Sequence, residues 1–242
     1  MLETHKIDIV SIASNNESHV KILNDLLSYN LKYVFCEKPL SNNLEGLNQI
    51  HSNYKKRKIP IYVNYFRKWD QEFINIGSLI KKTKKDDLIK IEINYTKGLI
   101  HTGTHYFDFL IDWLGEPISW SKSTPTERIN EFDFTSTFDL FFNFKGKKIL
   151  VKMIGEKLNK NQDKVTIFFK NTKIQILGAR IVNYYKIVNN NEFIQKTKKT
   201  DFDTIILKII NSICSKSNNK NLIIRDNFMQ SYKVLEYALE IN

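Results

Sequence analysis

Two short polar segments of this 242-residue chain carry the residue types that acid–base chemistry needs. The first is Glu37-Lys38-Pro39, which directly follows an apolar, strand-like run. Because the proline fixes the backbone, we expect Lys38 to project from the end of that strand, where its ammonium can donate to a substrate hydroxyl or carbonyl. Glu37 can hold a ribose hydroxyl. A helix entry with a solvent-facing ion pair explains the tripeptide equally well.

The second segment runs from Lys97 to Asp108 and places His105 in the first turn of a predicted helix. The positive end of the helix dipole disfavours protonation of an imidazole there, so the ring stays available as a base. Asp108 lies three residues later on the same helix face and could orient the ring or cap the turn. A purely structural pair of His101 and His105, satisfied by backbone partners, is the alternative.

Metal binding, nucleophilic hydrolysis and phosphate cradling are not predicted. His101 and His105 have an H-x-x-x-H spacing, but Thr102-Gly103 replaces the glutamate of a zincin and no third ligand is evident. The chain has no G-x-S-x-G elbow, and Cys36 at a strand end is expected to be a small core residue. The 8 glycines include no G-x-G pair and no G-x-x-x-x-G-K-[ST], so neither glycine-rich phosphate cradle is present.

Composition limits the class of protein further. A hydrophobic fraction of 42% and a charged fraction of 26% suit one large or two small domains with a real core. The net charge of +11 comes almost entirely from lysines scattered over predicted helix ends and turns, so we expect no nucleic-acid partner. Only 2 cysteines, no signal peptide and no apolar run near the roughly 18 residues that span a bilayer lead us to expect a soluble, cytoplasmic protein with no membrane partner.

The first third of the chain alternates predicted strands with helices. Its apolar, β-branched runs are typical of strands that are buried on both faces. Strands are predicted over Ile7–Ala13, Lys32–Cys36 and Ile59–Tyr65, with helices over Glu17–Tyr29 and from Asn42 to Tyr54. This order implies parallel strands with right-handed crossovers, and ligands of such sheets bind at the carboxyl ends of the strands. The residues at those ends are Ser14-Asn15, Glu37-Lys38-Pro39 and Asn64–Arg67.

After a helix predicted for about residues 70–82, strand-like runs follow one another with short connections, which is typical of antiparallel sheet. They are Ile89–Thr96, Ile118–Ser123, Phe132–Phe144, Lys148–Gly155, Lys164–Phe169, Lys173–Leu177 and Ile181–Val188. Helices are predicted over Thr104–Leu114, Asp203–Cys214 and Arg225–Ile241. The sequence therefore predicts a partial parallel α/β unit, joined near residue 66 to a larger α+β domain.

Taken together, these segments resemble the Gfo/Idh/MocA family of NAD(P)-dependent sugar and cyclitol oxidoreductases. The matching residues are Ile7–Asn15 with His19, Phe35–Leu40, Asn64–Trp69, and Gly98–Asp108 with Trp113–Pro117. Their order and spacing both agree with the family. The resemblance implies a partial Rossmann-like dinucleotide-binding domain over residues 1–66. Residues 67–242 would form an α+β substrate-binding and oligomerisation domain with an open, mainly antiparallel sheet.

The family's roles, carried over position by position, imply a cofactor site and a reaction centre. The cofactor would be NAD or NADP, bound by Ser14, Asn15, His19, Glu37, Lys38 and Arg67, with His19 supporting the loop. Lys38 and His105 would be catalytic: Lys38 binds the reacting hydroxyl, and His105 takes the hydroxyl proton in oxidation or returns it in reduction. The substrate would be bound by Lys38, His101, His105 and Asn64.

Two departures from the family pattern change this expectation. His101 stands where many members have an aspartate, and in this respect the chain resembles more closely a subgroup that acts on nucleotide-linked or amino sugars. The family also begins with a glycine-rich turn that binds the pyrophosphate, whereas this chain starts at what would be the fourth strand. We therefore expect roughly 60 residues of the family fold to be missing. Cofactor binding and activity would be impaired as a result.

Two other functions stay open from the sequence. One is a non-catalytic sugar-binding or oligomerisation subunit derived from the family. The other uses NAD as a redox helper in elimination or glycoside cleavage. The expected partners are a small sugar-like substrate and further copies of the chain bound through the antiparallel sheet, where the alternation from Phe132 to Phe144 offers a surface.

Overall fold

The computed structural model describes residues 5–158, 163–214 and 226–242. The chain divides into two compact units. We call them the parallel unit, made of residues 1–65 and 207–240, and the large-sheet unit, made of residues 66–206 and 241–242. None of the helices within the described ranges combines the length and the apolar character that crossing a bilayer requires.

The parallel unit has the alternating order that the sequence predicts. Its elements are β1 (Ile9–Ile12), α1 (Asn16–Leu26), β2 (Tyr33–Cys36), α2 (Leu47–Arg57) and β3 (Ile61–Val63). Within the described residues the three strands form a parallel sheet in the order β1-β2-β3. All four residues of β2 are buried, as the apolar run predicts for a central strand with both faces covered.

Helices α1 and α2 pack through the apolar positions that recur at helical spacing. The buried side chains include Leu23 and Leu26 on α1 and Ile50 and Tyr54 on α2. The Tyr54 hydroxyl donates to the backbone oxygen of Leu23 at 2.7 Å, so the buried phenol has a partner. These contacts fix the crossovers and, with them, the loops that follow β1 and β2.

The free edge of β3 is covered by one asparagine that lies far along the chain. Helix α5 spans Ile205–Cys214 and helix α6 spans Phe228–Ile241. The residue before α6, Asn227, lies beside β3. Its side-chain oxygen accepts from the Val63 N–H at 2.7 Å, and its amide nitrogen donates to the Val63 oxygen at 2.9 Å. Its own N–H donates to the Ile61 oxygen at 3.2 Å. Asn227 thus takes the place of a neighbouring strand at an edge that would otherwise leave polar groups without partners.

The large-sheet unit contains two helices and the remaining strands. Its elements are α3 (Gln71–Lys82), β4 (Leu88–Tyr95), α4 (Thr104–Leu114), β5 (Pro117–Trp120), β6 (Thr124–Arg128), β7 (Phe134–Phe144), β8 (Lys147–Gly155), β9 (Lys164–Phe169), β10 (Thr172–Leu177), β11 (Ile181–Val188) and β12 (Asn191–Lys199). Among the described strands the order is β12-β11-β10-β9-β4-β8-β7-β5, with β6 also on β7. Only the β4–β8 pair is parallel in this set. The predicted fold class is confirmed.

Alternation along the strands gives this sheet one buried and one half-exposed face. Residues in register across the buried face include Leu140, Val151, Ile91 and Ile167. We call the other side the open face. One row across it, read from β7 to β12, is Phe141, Leu150, Lys90, Phe168, Lys173, Tyr185 and Ile194.

The structure differs from the predicted elements at several places. The run predicted as Ile118–Ser123 is β5 (Pro117–Trp120), with a register shift after Pro117, and the sequence does not predict β6, which contains Pro125. The helix predicted from Asn42 begins at Leu47, because Gly46 before it has a left-handed backbone with φ of +72°. The sequence does not predict strand β12, because this strand is polar and lysine-rich, and every one of its residues is exposed. The last helix begins at Phe228, while the predicted start at Arg225 lies outside the described residues.

We expect Asn227→Ala to lower the free energy of unfolding by about 2 kcal/mol, because two buried backbone groups of Val63 lose their partner. Urea denaturation followed by circular dichroism measures this change. Asn24→Ala is the matched control, since Asn24 is exposed on α1, and we expect a change within about 0.5 kcal/mol. Equal effects of the two substitutions would contradict the role given to Asn227.

Candidate functional site

In the parallel unit, the loop after β1 presents two exposed polar residues. Ser14 and Asn15 are both exposed, and Asn15 precedes the first turn of α1. The Ser18 hydroxyl lies 2.6 Å from the Ser14 hydroxyl and 2.8 Å from the Asn15 backbone oxygen. This loop can therefore offer hydroxyl and amide groups, together with the amino end of a helix, to a ligand.

His19 connects this loop to the loop after β2. Its ring is fully buried, with Nδ1 3.1 Å from the Pro39 backbone oxygen and Nε2 3.1 Å from the Ser14 backbone oxygen. Both ring nitrogens therefore face protein carbonyls. The structure gives His19 the supporting position in the loop, and a direct cofactor contact through either ring nitrogen would require one of these carbonyls to be displaced.

Glu37 and Asn64 meet at the carboxyl ends of β2 and β3. The Asn64 side-chain nitrogen donates to a Glu37 carboxylate oxygen at 2.8 Å. The Glu37 N–H donates to the Ile12 backbone oxygen at 2.9 Å, and the Asn64 N–H donates to the Cys36 backbone oxygen at 2.8 Å. These hydrogen bonds hold both residues in the sheet. The Asn64 side-chain oxygen is buried and has no hydrogen-bond partner among residues 5–158, 163–214 and 226–242. It is an acceptor suited to a hydroxyl or amide donor from a ligand.

Lys38 lies between these groups along the chain. Its side chain is half-buried, and the Lys38–Pro39 peptide bond is cis. The loop that carries Lys38 is fixed from one side by the ring of His19 at Pro39. The parallel unit therefore brings Ser14, Asn15, His19, Glu37, Lys38 and Asn64 to one edge of the sheet.

In the large-sheet unit, His105 occupies the first turn of α4, as predicted. A wide helical turn over Leu99–Gly103 precedes it, so His101 and His105 do not share one regular helix. The His105 ring is buried and lies edge-on to Phe66, with 5.2 Å between the ring centroids, whereas His101 is exposed. The two histidines therefore have different surroundings, and no group of three or more metal-ligating side chains occurs in the described part of the chain.

Asp108 is paired with a lysine that the sequence reasoning did not assign. Lys68 Nζ lies 2.8 Å from an Asp108 carboxylate oxygen, and the side chains are 16% and 1% exposed. Lys68 follows β3 within the short helical turn Phe66–Trp69. A buried carboxylate next to His105 is thus compensated by an ammonium from a segment 40 residues away in sequence.

Arg67 is packed between aromatic rings of the same unit. Its guanidinium carbon lies 5.2 Å from the Phe66 centroid and 5.3 Å from the Tyr106 centroid. Burial lowers the pKa of Arg67, and within the described ranges its Nη1 atom is buried without a hydrogen-bond partner. Burial also raises the pKa of Tyr106 well above its usual value, and the Tyr106 hydroxyl donates to Asp163 at 2.7 Å. The contacts of Arg67 are thus cation–π contacts within the protein.

Known proteins resemble this chain in sequence over its first part and in fold over nearly all of it. The model of the Gfo/Idh/MocA oxidoreductase family, described as having an NAD-binding Rossmann fold, matches residues 1–65. The resemblance to that family is confirmed. Inositol 2-dehydrogenase of Corynebacterium glutamicum is 29% identical over 120 residues, which is 45% of this chain and 35% of that protein. Matches to the inositol dehydrogenases span 24% to 35% of their lengths.

Solved Gfo/Idh/MocA-like structures have the same fold over nearly the whole chain. The super-repressor mutant of Gal80p from Saccharomyces cerevisiae has a TM-score of 0.77 at 14% identity, covering 97% of this chain and 76% of that one. UDP-N-acetylglucosamine 3-dehydrogenase GnnA from Acidithiobacillus ferrooxidans has a TM-score of 0.73 at 13% identity, covering 97% and 77%. At these identities the similarity establishes the fold.

Two residues of the large-sheet unit that contact the α4 side chains are not predicted by the sequence. Lys68 and Asp163 contact Asp108 and Tyr106 across 40 and 57 residues of chain. Lys68 is adjacent to the predicted Arg67, and an apolar helix face that carries an aspartate is a signal that a basic partner is needed. Nothing comparable points to Asp163.

We expect Lys68→Met to destabilise the protein by about 3 kcal/mol, because it leaves the Asp108 carboxylate buried without its ammonium. In Lys68→Met/Asp108→Leu no charge is left alone, so this double variant should unfold at a higher denaturant concentration than the single one. Guanidinium denaturation of the wild type, both single variants and the double variant gives the coupling free energy. Additive effects within about 0.5 kcal/mol would show that the pair contributes no more than an exposed ion pair.

Proposed function

We propose that this chain functions in an oxidoreductase that binds a nicotinamide cofactor and acts on a hydroxyl-bearing carbon of a sugar, sugar derivative or cyclitol. The observation that carries the proposal is the buried Asn64 oxygen beside Glu37, an acceptor without a donor in the described chain at the carboxyl edge of the parallel sheet. That edge lies within the segment matched by the NAD-binding family model. A donor from a ligand would satisfy it.

The residues of the parallel unit fit the nicotinamide and ribose part of such a cofactor. Glu37 and Asn64 supply acceptors for hydroxyl and amide groups, and the exposed Ser14 and Asn15 supply further polar groups. The 242 residues contain no G-x-G turn for a pyrophosphate, so contacts from this chain would be concentrated at the nicotinamide end. When bound, a nicotinamide would accept or donate a hydride.

Two residues of the chain would then manage the charge and the proton on the substrate. The Lys38 ammonium would donate a hydrogen bond to the reacting oxygen and stabilise negative charge on it. A ring nitrogen of His105 would take the hydroxyl proton in oxidation and return it in reduction. Lys68 would keep the neighbouring Asp108 paired, so that this carboxylate does not act as an alternative base. Arg67 and His101 stay candidates for cofactor and substrate contacts.

Because the 242 residues contain no glycine-rich pyrophosphate turn, we expect the wild type to bind NADH or NADPH weakly and to turn over slowly a polyol or sugar from a panel that includes myo-inositol and UDP-N-acetylglucosamine. Lys38→Met should lower kcat/KM by about 10²- to 10³-fold, and His105→Gln by about 10²- to 10⁴-fold. Calorimetric titration measures dinucleotide binding, and the absorbance change at the nicotinamide band measures turnover.

The matched controls are Lys55→Met and His5→Gln, which change exposed residues of the same types. They should leave kcat/KM unchanged within a factor of two. Failure of the wild type to bind either dinucleotide at millimolar concentration would overturn the proposal. Retained binding without turnover would favour a second candidate, a non-catalytic binding subunit, which the similarity to the Gal80p super-repressor also favours.

The open face of the large sheet is the candidate surface for association with a second copy. Its central row combines apolar and aromatic side chains, among them Leu150 and Phe168, and the next row pairs Lys152 with both Asp139 and Glu92. Both signs of charge on one face suit an interface in which each copy presents the same surface.

We expect Leu150→Asp to convert an oligomer into a monomer, because it places a charge at the centre of that row. Light scattering coupled to size-exclusion chromatography measures the mass. Leu79→Asp, at an exposed position on α3, should leave the mass unchanged. A wild-type monomer at concentrations of tens of micromolar would be contrary to this expectation.

A further inference from the structure

The turn that leads into α4 depends on an acceptor from a distant part of the chain. The first N–H groups of a helical segment have no partner within it. In the turn Leu99–Gly103, the N–H groups of Ile100 and His101 donate to the two carboxylate oxygens of Asp133 at 2.8 and 2.9 Å. Just before the turn, the N–H of Gly98 donates to the Thr135 hydroxyl at 2.9 Å. Asp133, just before β7, and Thr135, on β7, therefore accept hydrogen bonds from three backbone N–H groups of this segment.

Gly98 adapts the backbone to this carboxylate. Its φ is +90°, which disfavours any residue with a side chain. A Cβ atom at this position would overlap the carboxylate of Asp133. Asp133 therefore occupies the space where a side chain at residue 98 would be, and the glycine and the aspartate fit only each other.

Asp133 is itself held in place by its neighbours. It is 4% exposed, and its backbone oxygen accepts from Ile129 at 2.9 Å. The side chain of Asn242 binds the backbone on both sides of Asp133. Its amide nitrogen donates to the Phe132 oxygen at 2.7 Å, and its amide oxygen accepts from the Phe134 N–H at 3.0 Å. A carboxylate fixed in this way sets the position of the two amides that it binds.

We propose that Asp133 is a positioning residue of the candidate site, which fixes the turn Leu99–Gly103 and through it the place of His105. The effect on turnover rests on the proposed function, whereas the effect on the turn does not. A negative charge at the amino end of a helical segment is also favourable by the helix dipole, so the ionised carboxylate is the form that the turn requires. Helix α4 begins at Thr104, directly after the turn Leu99–Gly103, so a shift of the two clamped amides would displace the first turn of α4, in which His105 lies.

The test compares Asp133→Asn with Asp86→Asn, a change of the same type at an exposed position just before β4. The amide introduced by Asp133→Asn keeps the shape of the carboxylate but presents a donor to one of the two N–H groups, so one bond is lost. We expect the amides of Ile100 and His101 to exchange with deuterium at least tenfold faster, and the ring resonances of His105 to shift. In the Asp86 variant the same amides and the His105 ring should be unchanged, and in the Asp133 variant the ring of His19 should be unaffected.

In the active enzyme we expect Asp133→Asn to lower kcat by about 10- to 100-fold with KM changed less than threefold, because displacement of the base affects the reaction more than binding. Asn242→Ala, which loosens the turn around Asp133 without altering the carboxylate, should change the same amides in the same direction by a smaller factor. If the Asp133 variant does not fold, the exchange rates of these amides in Asn242→Ala test the positioning role instead.

Unchanged exchange at Ile100 and His101 in these variants, or an unshifted His105 ring, would overturn the proposal. So would faster exchange together with wild-type kcat. If the wild type has no turnover with any substrate, the proposed function fails. The exchange rates and the His105 resonances then decide the positioning role independently.

Discussion

The loops that carry the candidate residues depend on one constraint, which is that buried backbone N–H and C=O groups need hydrogen-bond partners. An unsatisfied group of this kind costs about 1–3 kcal/mol. Regular secondary structure provides partners inside strands and helices, but ligand-binding loops lie where that pairing ends. Here side chains provide them: His19 faces the carbonyls of Ser14 and Pro39, and Asp133 accepts from Ile100 and His101. Each of these contacts joins a chemically important loop to an element that is otherwise fixed.

The same constraint separates residues that do chemistry from residues that hold them. Both ring nitrogens of His19 lie 3.1 Å from protein carbonyl oxygens, so its polar atoms are directed at the protein. A side chain with an unused buried atom is in the opposite situation, and Asn64 is the example, with its amide nitrogen on Glu37 and its oxygen without a donor in the described chain. The hydrogen-bond inventory therefore separates the two kinds of residue at the sheet edge, where sequence position alone treats them alike.

The sequence predicts best those features that local pattern determines. The parallel strands are recognisable because both of their faces are buried, and α4 is recognisable from its apolar positions and the glycine that ends it. Strand β12 has no apolar pattern, because all of its residues are exposed, and it is defined only by its pairing with β11. Pairings such as Lys68 with Asp108 and Asp133 with Ile100 join residues 40 and 33 positions apart. No local signal specifies such distant partners, so Lys38 and His105 can be proposed from sequence, whereas the contacts of Lys68 and Asp133 cannot.

The charged groups of the two units have different partners. The more deeply buried groups, in the large-sheet unit, contact a group of opposite charge or aromatic rings. In the large-sheet unit, Asp108 is almost fully buried and is neutralised by Lys68, while the Arg67 guanidinium is shielded by the Phe66 and Tyr106 rings. Under the proposed function, His105 would act as a base next to charges that are already compensated. In the parallel unit, a Glu37 carboxylate oxygen accepts from the neutral amide of Asn64, and a carboxylate is a strong acceptor. A carboxylate that remains a strong acceptor can bind hydroxyl donors, and a neutral imidazole can exchange a proton. These are the two capacities that oxidation of an alcohol by a nicotinamide requires of the protein.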